Sequence, residues 1–384
     1  MRILLRRHLL LLGLLGAVSG CAALVPSSPK PLPAVALTDQ APDDGLEDYV
    51  GVLHVHTTYS HDAHGTFADV VRVANAQGLD YVILTEHNTL QPLRDGQQGW
   101  HGAVLVLVGV ELSTPGGHYL ALNVAEEIDP HGRTTQAVID DVNRQGGMGF
   151  IAHPYFRKRR WTDWDVRGVT GIEVYNVAHD TLDENRLRLA LWTLTVPPEW
   201  FYLSLIDRPY DPLEAWEEMI ARHGRFVGIG ATDAHEFHLA GLKFASYEIL
   251  FQIIRTHVLV PSPSLTPEGV YEALRQGHTY LAIELTARAR GFSFVALRGK
   301  RLLGVMGDDV ALQPDLVLRV TLPAPAELTL LRDGRAVHTT TAAQWQIPVT
   351  QPGVYRLEAM RHGTPWIFSN PIYVRAPEEP ARKP

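Results

Sequence analysis

The stretch Leu53-His54-Val55-His56-Thr57-Thr58-Tyr59-Ser60-His61-Asp62 decides how this chain reads. Its opening closes a short apolar run, Val50 to Val55, and sets two imidazoles two residues apart. Along a strand, side chains alternate between faces, so residues two apart point the same way. The spacing therefore predicts that His54 and His56 reach one point in space. Asp233-Ala234-His235 repeats the arrangement far downstream. Between the two lie Glu86-His87, Glu111 and His153, each where an apolar run stops. Imidazole nitrogens with carboxylate oxygens are ligands for borderline and hard divalent metals. One strand-end histidine is ordinarily a hydrogen-bonded structural residue. Five strands ending this way point to a metal centre.

Working outward, strand and helix signals alternate from Tyr49 to about Ile283. Thr66 caps a helical pattern through Gln77, with Phe67, Val70, Val71 and Ala74 on one face and Gly78 as terminator. Tyr81 to Leu84 reads as a strand, and Val104 to Val110 as a strand buried on both faces. Thr134 to Gln145 and Pro212 to His223 read as helices, each stopped by glycine; Met148 to Ala152, Gly171 to Tyr175 and Phe226 to Ile229 read as strands. This is an α/β repeat of barrel type, in which functional residues sit at the carboxyl ends of strands. Trp192 to Tyr210 fits the repeat poorly and receives no assignment. After Gly291, short alternating segments take over: Leu316 to Val320, Glu327 to Leu331, Val354 to Met360 and Ile372 to Val374. Turn pairs Asp333-Gly334 and His362-Gly363 separate them, as in a small antiparallel, Ig-like sandwich. The expected organisation is a metal-binding α/β barrel domain over 49–286, an all-β domain over 291–375 and a loose tail over 376–384.

The chain starts with Arg2, Arg6 and Arg7 and then an apolar run from Leu9 to Val18. About ten apolar residues are too few to span a bilayer and right for an export signal. Val18-Ser19-Gly20-Cys21 follows and resembles a bacterial lipobox, with Cys21 as the lipidated residue. Residues 1–21 are thus expected to be a lipoprotein signal. Residues 22–48, rich in proline, read as a tether holding an exported, membrane-anchored protein off the surface. Cys21 is the only cysteine, so no internal disulfide forms. With 384 residues, 46% of them hydrophobic, the chain has ample material for a core. A net charge of -8 argues against a stable nucleic-acid complex, which needs broad positive surfaces.

Seven strings occur in order that together resemble the PHP (polymerase and histidinol phosphatase) family. They are residues 53–62, Thr-Glu-His-Asn-Thr (85–89), Gly-Val-Glu-Leu-Ser (109–113), Gly-His-Tyr-Leu-Ala-Leu (117–122), Ala-His-Pro (152–154), Gly-Ile-Glu-Val-Tyr-Asn (171–176) and Thr-Asp-Ala-His (232–235). The resemblance covers about residues 50–285 and implies a distorted (β/α)7 barrel holding two or three divalent metals. Carried over residue by residue, it implies that His54, His56, Glu111 and Asp233 bind one ion. Glu111, as a bridge, binds a second with His118 and His153, and Asp62, His87 and His235 bind a third. Nine ligands without a thiolate suit Zn, Mn or Fe. Glu86 stands where many members have Asp, and is expected to orient a ligand or bound water. His61 and His64 are expected to face solvent.

Such a centre activates water for hydrolysis, with Glu111 and Asp233 as its essential carboxylates. The chain has no Gly-x-Ser-x-Gly elbow, and Cys21 is spent on the anchor. Arg157-Lys158-Arg159-Arg160 follows the Ala-His-Pro string, and Arg157 is placed to hold a substrate phosphate. Asn176 and His179 follow another strand end and are expected to touch substrate. The family resemblance favours a phosphoester: a phosphatase, or a nuclease acting on short nucleotides. The combination of export signal, barrel and C-terminal β-domain also resembles a PHP subgroup of carbamate and ester hydrolases of the carbaryl hydrolase type. A non-catalytic, metal-binding surface protein is a third reading, but idle ligands would leave a charged cluster uncompensated.

Overall fold

The computed structural model describes residues 45–177, 197–239, 242–261 and 263–376. The signal, Cys21, most of the tether, His179 and most of the tail lie outside them.

The chain opens with β1 (Glu47–Val55), α1 (Phe67–Ala76) and β2 (Tyr81–His87). Thr66 caps α1 in a reciprocal box with Asp69, which satisfies two of the amides a helix start leaves unpaired. Next come α2 (Gln91–Arg94), β3 (Gly99–His101), β4 (Val104–Thr114) and β5 (Gly117–Leu122). They lead to α3 (Thr135–Arg144), β6 (Met148–Ile151) and β7 (Gly171–Asn176). After α4 (Pro198–Leu203) and α5 (Tyr210–His223) come β8 (Val227–Ala231) and the hairpin β9 (Phe237–Leu239) with β10 (Leu242–Phe244). Then α6 (Tyr247–Ile253), β11 (Ile254–Val260), α7 (Pro267–Gln276) and β12 (Thr279–Ile283) complete the α/β part.

β1, β2 and β4 run parallel, as do β6, β7 and β8. β5 breaks the repeat. It follows β4 through a tight turn with no crossover helix and pairs antiparallel with both β4 and β6. This inversion brings His118 beside the end of β4. Beyond β8, the backbone of Thr232 and Ala234 bonds to Leu53 and His54 of β1 and to His56 just past it at 2.9–3.2 Å. The end of the series thus lies against its beginning, on the side that carries the candidate ligands. β11 takes the other half of β1, antiparallel, from Glu47 to Gly51. Valines and leucines of β2 and β4 are buried on both faces, as parallel strands covered by helices require.

The β-rich remainder comprises β13 (Ser293–Arg298), β14 (Arg301–Val305), β15 (Asp309–Ala311), β16 (Leu316–Arg332), β17 (Arg335–Pro348), β18 (Gly353–Arg361), β19 (Thr364–Ser369) and β20 (Ile372–Arg375). The segments expected at Leu316 to Val320 and Glu327 to Leu331 form one long strand, with its register broken between Thr321 and Ala326 where Pro323 and Pro325 fall. Both turn pairs join hairpins: Asp333 and Gly334 have φ 50° and 75°, His362 and Gly363 50° and 78°. β15 and β20 pair parallel, a departure from the antiparallel expectation. The sheet also runs on from the α/β part, because β12 pairs with β19. Leu259, Tyr280 and Ala282 pack in one core with Phe294, Leu318 and Trp366. Asn370 bonds Gly228 and the Thr279 carbonyl at 2.9 Å. The two parts share a sheet and buried side chains.

Candidate metal centre

Glu111, at the end of β4, is fully buried and lies at the middle of the cluster. Its Oε1 is 2.6 Å from His118 Nδ1 and 2.9 Å from His153 Nε2. Its Oε2 is 2.9 Å from His87 Nδ1 and 3.3 Å from Nε2 of both His54 and His56. Asp233 Oδ1 faces the same two nitrogens at 3.3 and 3.4 Å. Asp62 lies further out, its Oδ2 3.3 Å from His87 Nε2 and its Oδ1 3.6 Å from His235 Nε2. All nine residues expected to ligate metal come together.

One of the three expected sets forms a group, and the other two are regrouped around His87. His54, His56, Glu111 and Asp233 offer atoms within 4.8 Å of one another, as expected, whereas His87 and His235 group with His56 rather than with Asp62. His87, assigned with Asp62 and His235, also groups with Glu111 and His118. Its two nitrogens face different carboxylates, so it sits between sites.

The strand alternation that suggested convergence is not how the chain achieves it. β1 carries a bulge between Val52 and Val55, and His54 has φ 62°. Asp233 and His235 lie past the end of β8, and Asp233 has φ 49°. His153 has φ 24°. Left-handed backbone at a non-glycine residue costs about 1–3 kcal/mol and persists where the surroundings over-determine it. Here it turns side chains from different strand ends toward one point.

Supporting groups fix the imidazoles. Glu173 on β7 is buried; its Oε1 is 2.6 Å from His54 Nδ1, and its Oε2 accepts from His153 N–H at 2.6 Å and Asn176 Nδ2 at 2.8 Å. His54 therefore carries its proton on Nδ1 and presents Nε2 to the cluster. Glu86 does the same for His56 through Ser60. It accepts from Thr57 N–H, Thr57 Oγ1 and Ser60 Oγ, and Ser60 Oγ accepts from His56 Nδ1 at 3.1 Å. This matches the orienting role expected of Glu86. Glu173 was missed, although it lies inside the Gly-Ile-Glu-Val-Tyr-Asn string; a buried acid in an apolar run was the available signal. Asn176, expected to touch substrate, donates to Glu173. Arg157 is exposed beside the cluster, and His179 lies outside the described residues. His61 and His64 are exposed, as expected.

Electrostatics report a cluster short of positive charge. Burial opposes protonation of His54, yet Asp233, Glu111 and Glu173 hold its pKa well above the ordinary value. Burial likewise opposes charge on His87, and Asp62 and Glu111 override it, raising the pKa to about 10. Burial and the neighbouring His56 push His235 down to about 4. Burial would raise Glu111 and Asp233, but His54 and its neighbours keep both well below the carboxylate range. Five buried atoms of the cluster, His54 Nε2, His56 Nε2, Asp62 Oδ1, Glu111 Oε2 and His153 Nδ1, make no hydrogen bond among the described residues. Such atoms are costly unless a ligand satisfies them. A divalent cation meets both needs, and the N/O donor set fits one.

Residues 52–211 match the family model of the PHP domain. An uncharacterized protein of Methanocaldococcus jannaschii is 29% identical over 143 residues, covering 33% of this chain and 81% of that protein. A solved two-domain protein from Bacteroides vulgatus, described as containing a predicted PHP-like metal-dependent phosphoesterase, overlays with TM-score 0.45 and 15% identity, over 88% of this chain and all of that one. PsfC from Pseudomonas syringae overlays with TM-score 0.38 and 17% identity, over 58% of this chain and 88% of that one.

Proposed function

We propose that this chain, a metal-dependent hydrolase carrying a PHP domain over residues 52–211, cleaves a phosphoester in a small substrate. The observation that carries the reading is the environment of Glu111: five imidazoles converge on one buried carboxylate, and two of them present unbonded Nε2 atoms. A carboxylate with both oxygens so engaged would be shared by two cations.

Two or three ions of Zn, Mn or Fe are proposed. His54, His56, Glu111 and Asp233 would hold one, and Glu111 with His118 and His153 a second. Asp62, His87 and His235 would hold a third. Bound there, the ions would bring the pKa of a water near neutrality and neutralise charge building on the cleaved ester. The chain's own residues do the rest. Glu173 and Ser60 lock the His54 and His56 tautomers so that a lone pair, not a proton, faces the centre. Glu111 and Asp233 balance the cationic charge. Arg157 holds a non-bridging phosphate oxygen. No side-chain nucleophile is needed. The burial of most of the ligand cluster supports a small substrate, and a net charge of -8 disfavours long nucleic acids. The chain is further proposed to be exported and lipid-anchored through Cys21.

Metal-loaded protein should hydrolyse p-nitrophenyl phosphate or bis-p-nitrophenyl phosphate, and chelation should stop it. Turnover of p-nitrophenyl acetate with neither phosphate ester cleaved would replace this reading with a carboxyl or carbamate ester hydrolase. No turnover of any ester by metal-loaded protein would favour a binding role.

A further inference from the structure

Beside His153, Glu173 and Asn176 lies a cavity of about 310 Å³, also lined by Arg157, Arg160 and Arg208. That is the size of a small-ligand pocket. Arg157 and Arg160 are exposed, and neither makes an ion pair with a described residue; the Arg160 guanidinium lies 5.1 Å from the Tyr155 ring centre. Arg208 differs. It precedes α5 and is held in a fork by Glu358 of β18, with Nε and Nη2 each 2.8 Å from a carboxylate oxygen. Its guanidinium also lies 4.7 Å from the Tyr210 ring centre.

Glu358 is buried and fixed in turn. Arg356 Nη1 donates to it at 2.6 Å, and Arg356 Nε donates to Glu217 of α5. The β-rich region therefore reaches across to the active-site side of the α/β part and sets one guanidinium in the cavity wall. The fork occupies Nε and Nη2, and among the described residues Nη1 has no hydrogen-bond partner, so it is the group offered to the cavity. Asp207 and Asp211 line the same cavity. With Arg157 given to the ester being cut, a second oxyanion must meet Arg160 and Arg208 and avoid these carboxylates, so it depends on where Arg208 is held.

We propose that this cavity is an oxyanion subsite, for a phosphate or carboxylate borne by the substrate apart from the bond being cut, and that Glu358 is its positioning residue, acting through Arg208. The subsite rests on the hydrolase reading for its use, but its binding of an anion is measurable separately. It gives the C-terminal β-rich region a part in substrate recognition.

The test is calorimetric titration of inorganic phosphate into the zinc-loaded full-length chain. Arg208→Ala and Glu358→Gln should each weaken phosphate binding about tenfold or more, since a charge-assisted fork is lost or misplaced. The double variant should be no weaker than Arg208→Ala, because Glu358 acts only through Arg208. Arg301→Ala, at the exposed start of β14, should bind as wild type does. On bis-p-nitrophenyl phosphate, Arg301→Ala should likewise keep kcat and KM within about twofold of wild type. Unchanged phosphate affinity in Arg208→Ala would overturn the subsite. Weakening by Arg208→Ala but not by Glu358→Gln would overturn the positioning role, as would additive effects in the double variant. If the wild type cleaves no phosphate ester, the hydrolase reading fails while these affinities still decide the subsite.

Discussion

Glu173→Gln should cost the centre metal without dismantling the fold. The carboxylate receives three donors: the His54 ring at 2.6 Å, the His153 amide at 2.6 Å and the Asn176 side chain at 2.8 Å. Glutamine has one acceptor oxygen and a donating NH2 group, so at least one buried donor faces another donor. A buried polar group left unsatisfied costs about 1–3 kcal/mol. The His54 ring then either tips away or loses its tautomer preference, and its Nε2 no longer points a lone pair at Glu111 and Asp233. Losing such an orienting partner costs roughly 10- to 100-fold in metal affinity, about 1.4–2.7 kcal/mol in binding free energy. Competition against a chromophoric chelator should show that weakening for one ion, and excess metal should restore most of the rate on bis-p-nitrophenyl phosphate. If Glu173→Gln binds every ion as tightly as wild type, orientation of His54 by Glu173 is not what builds the centre.

Asp233→Asn should lower the hydrolysis rate by orders of magnitude while shifting the melting temperature little, since one carboxylate balancing cationic charge is gone; His101→Ala, whose ring packs against Phe67 away from the ligands, should keep near-wild-type rates. Cys21→Ser should move the expressed protein from the detergent phase to the aqueous phase in phase partitioning without changing its rate, and a wild-type protein already in the aqueous phase would contradict the anchor. His257 is buried against Asp48 at 2.7 Å, and although burial opposes its charge, Asp48 and Glu284 raise its pKa to about 9. Its folded pKa lies above the unfolded value of about 6.5, so its contribution is complete below pH 6.5 and is lost as pH rises through about 9. Urea unfolding should therefore show a loss of order 1–3 kcal/mol between pH 6 and 9.5 in wild type that His257→Gln lacks.

The ligands were legible because chemistry restricts them. A histidine or acid that ends a buried apolar run has few bland explanations, and His54, His56, His87, Glu111, His153, Asp233 and His235 were found that way. The geometry joining them was not legible. Alternation along a strand suggested that His54 and His56 converge, whereas a bulge and left-handed backbone do the work. His118 needed the family resemblance, because β5 is an inverted strand whose pairing no local pattern announces. Glu173 was hidden because a buried acid inside a strand gains its meaning only from its partners. In the β-rich region, the turns at Asp333-Gly334 and His362-Gly363 were read correctly, since left-handed backbone favours those residues. β17 was overlooked, being exposed along most of its length with little apolar alternation. That β12 pairs with β19, and that Glu358 reaches Arg208, are long-range facts that no window of sequence contains.

The central claim is that Glu111 bridges cations that carry out hydrolysis. The most direct measurement is elemental analysis of wild type and Glu111→Gln, paired with their rates on bis-p-nitrophenyl phosphate. Wild type should hold two or three divalent ions per chain and turn over the ester. Glu111→Gln should lose at least one ion and most of the rate. A Glu111→Gln protein that keeps its full metal content and ordinary turnover would contradict the bridged centre.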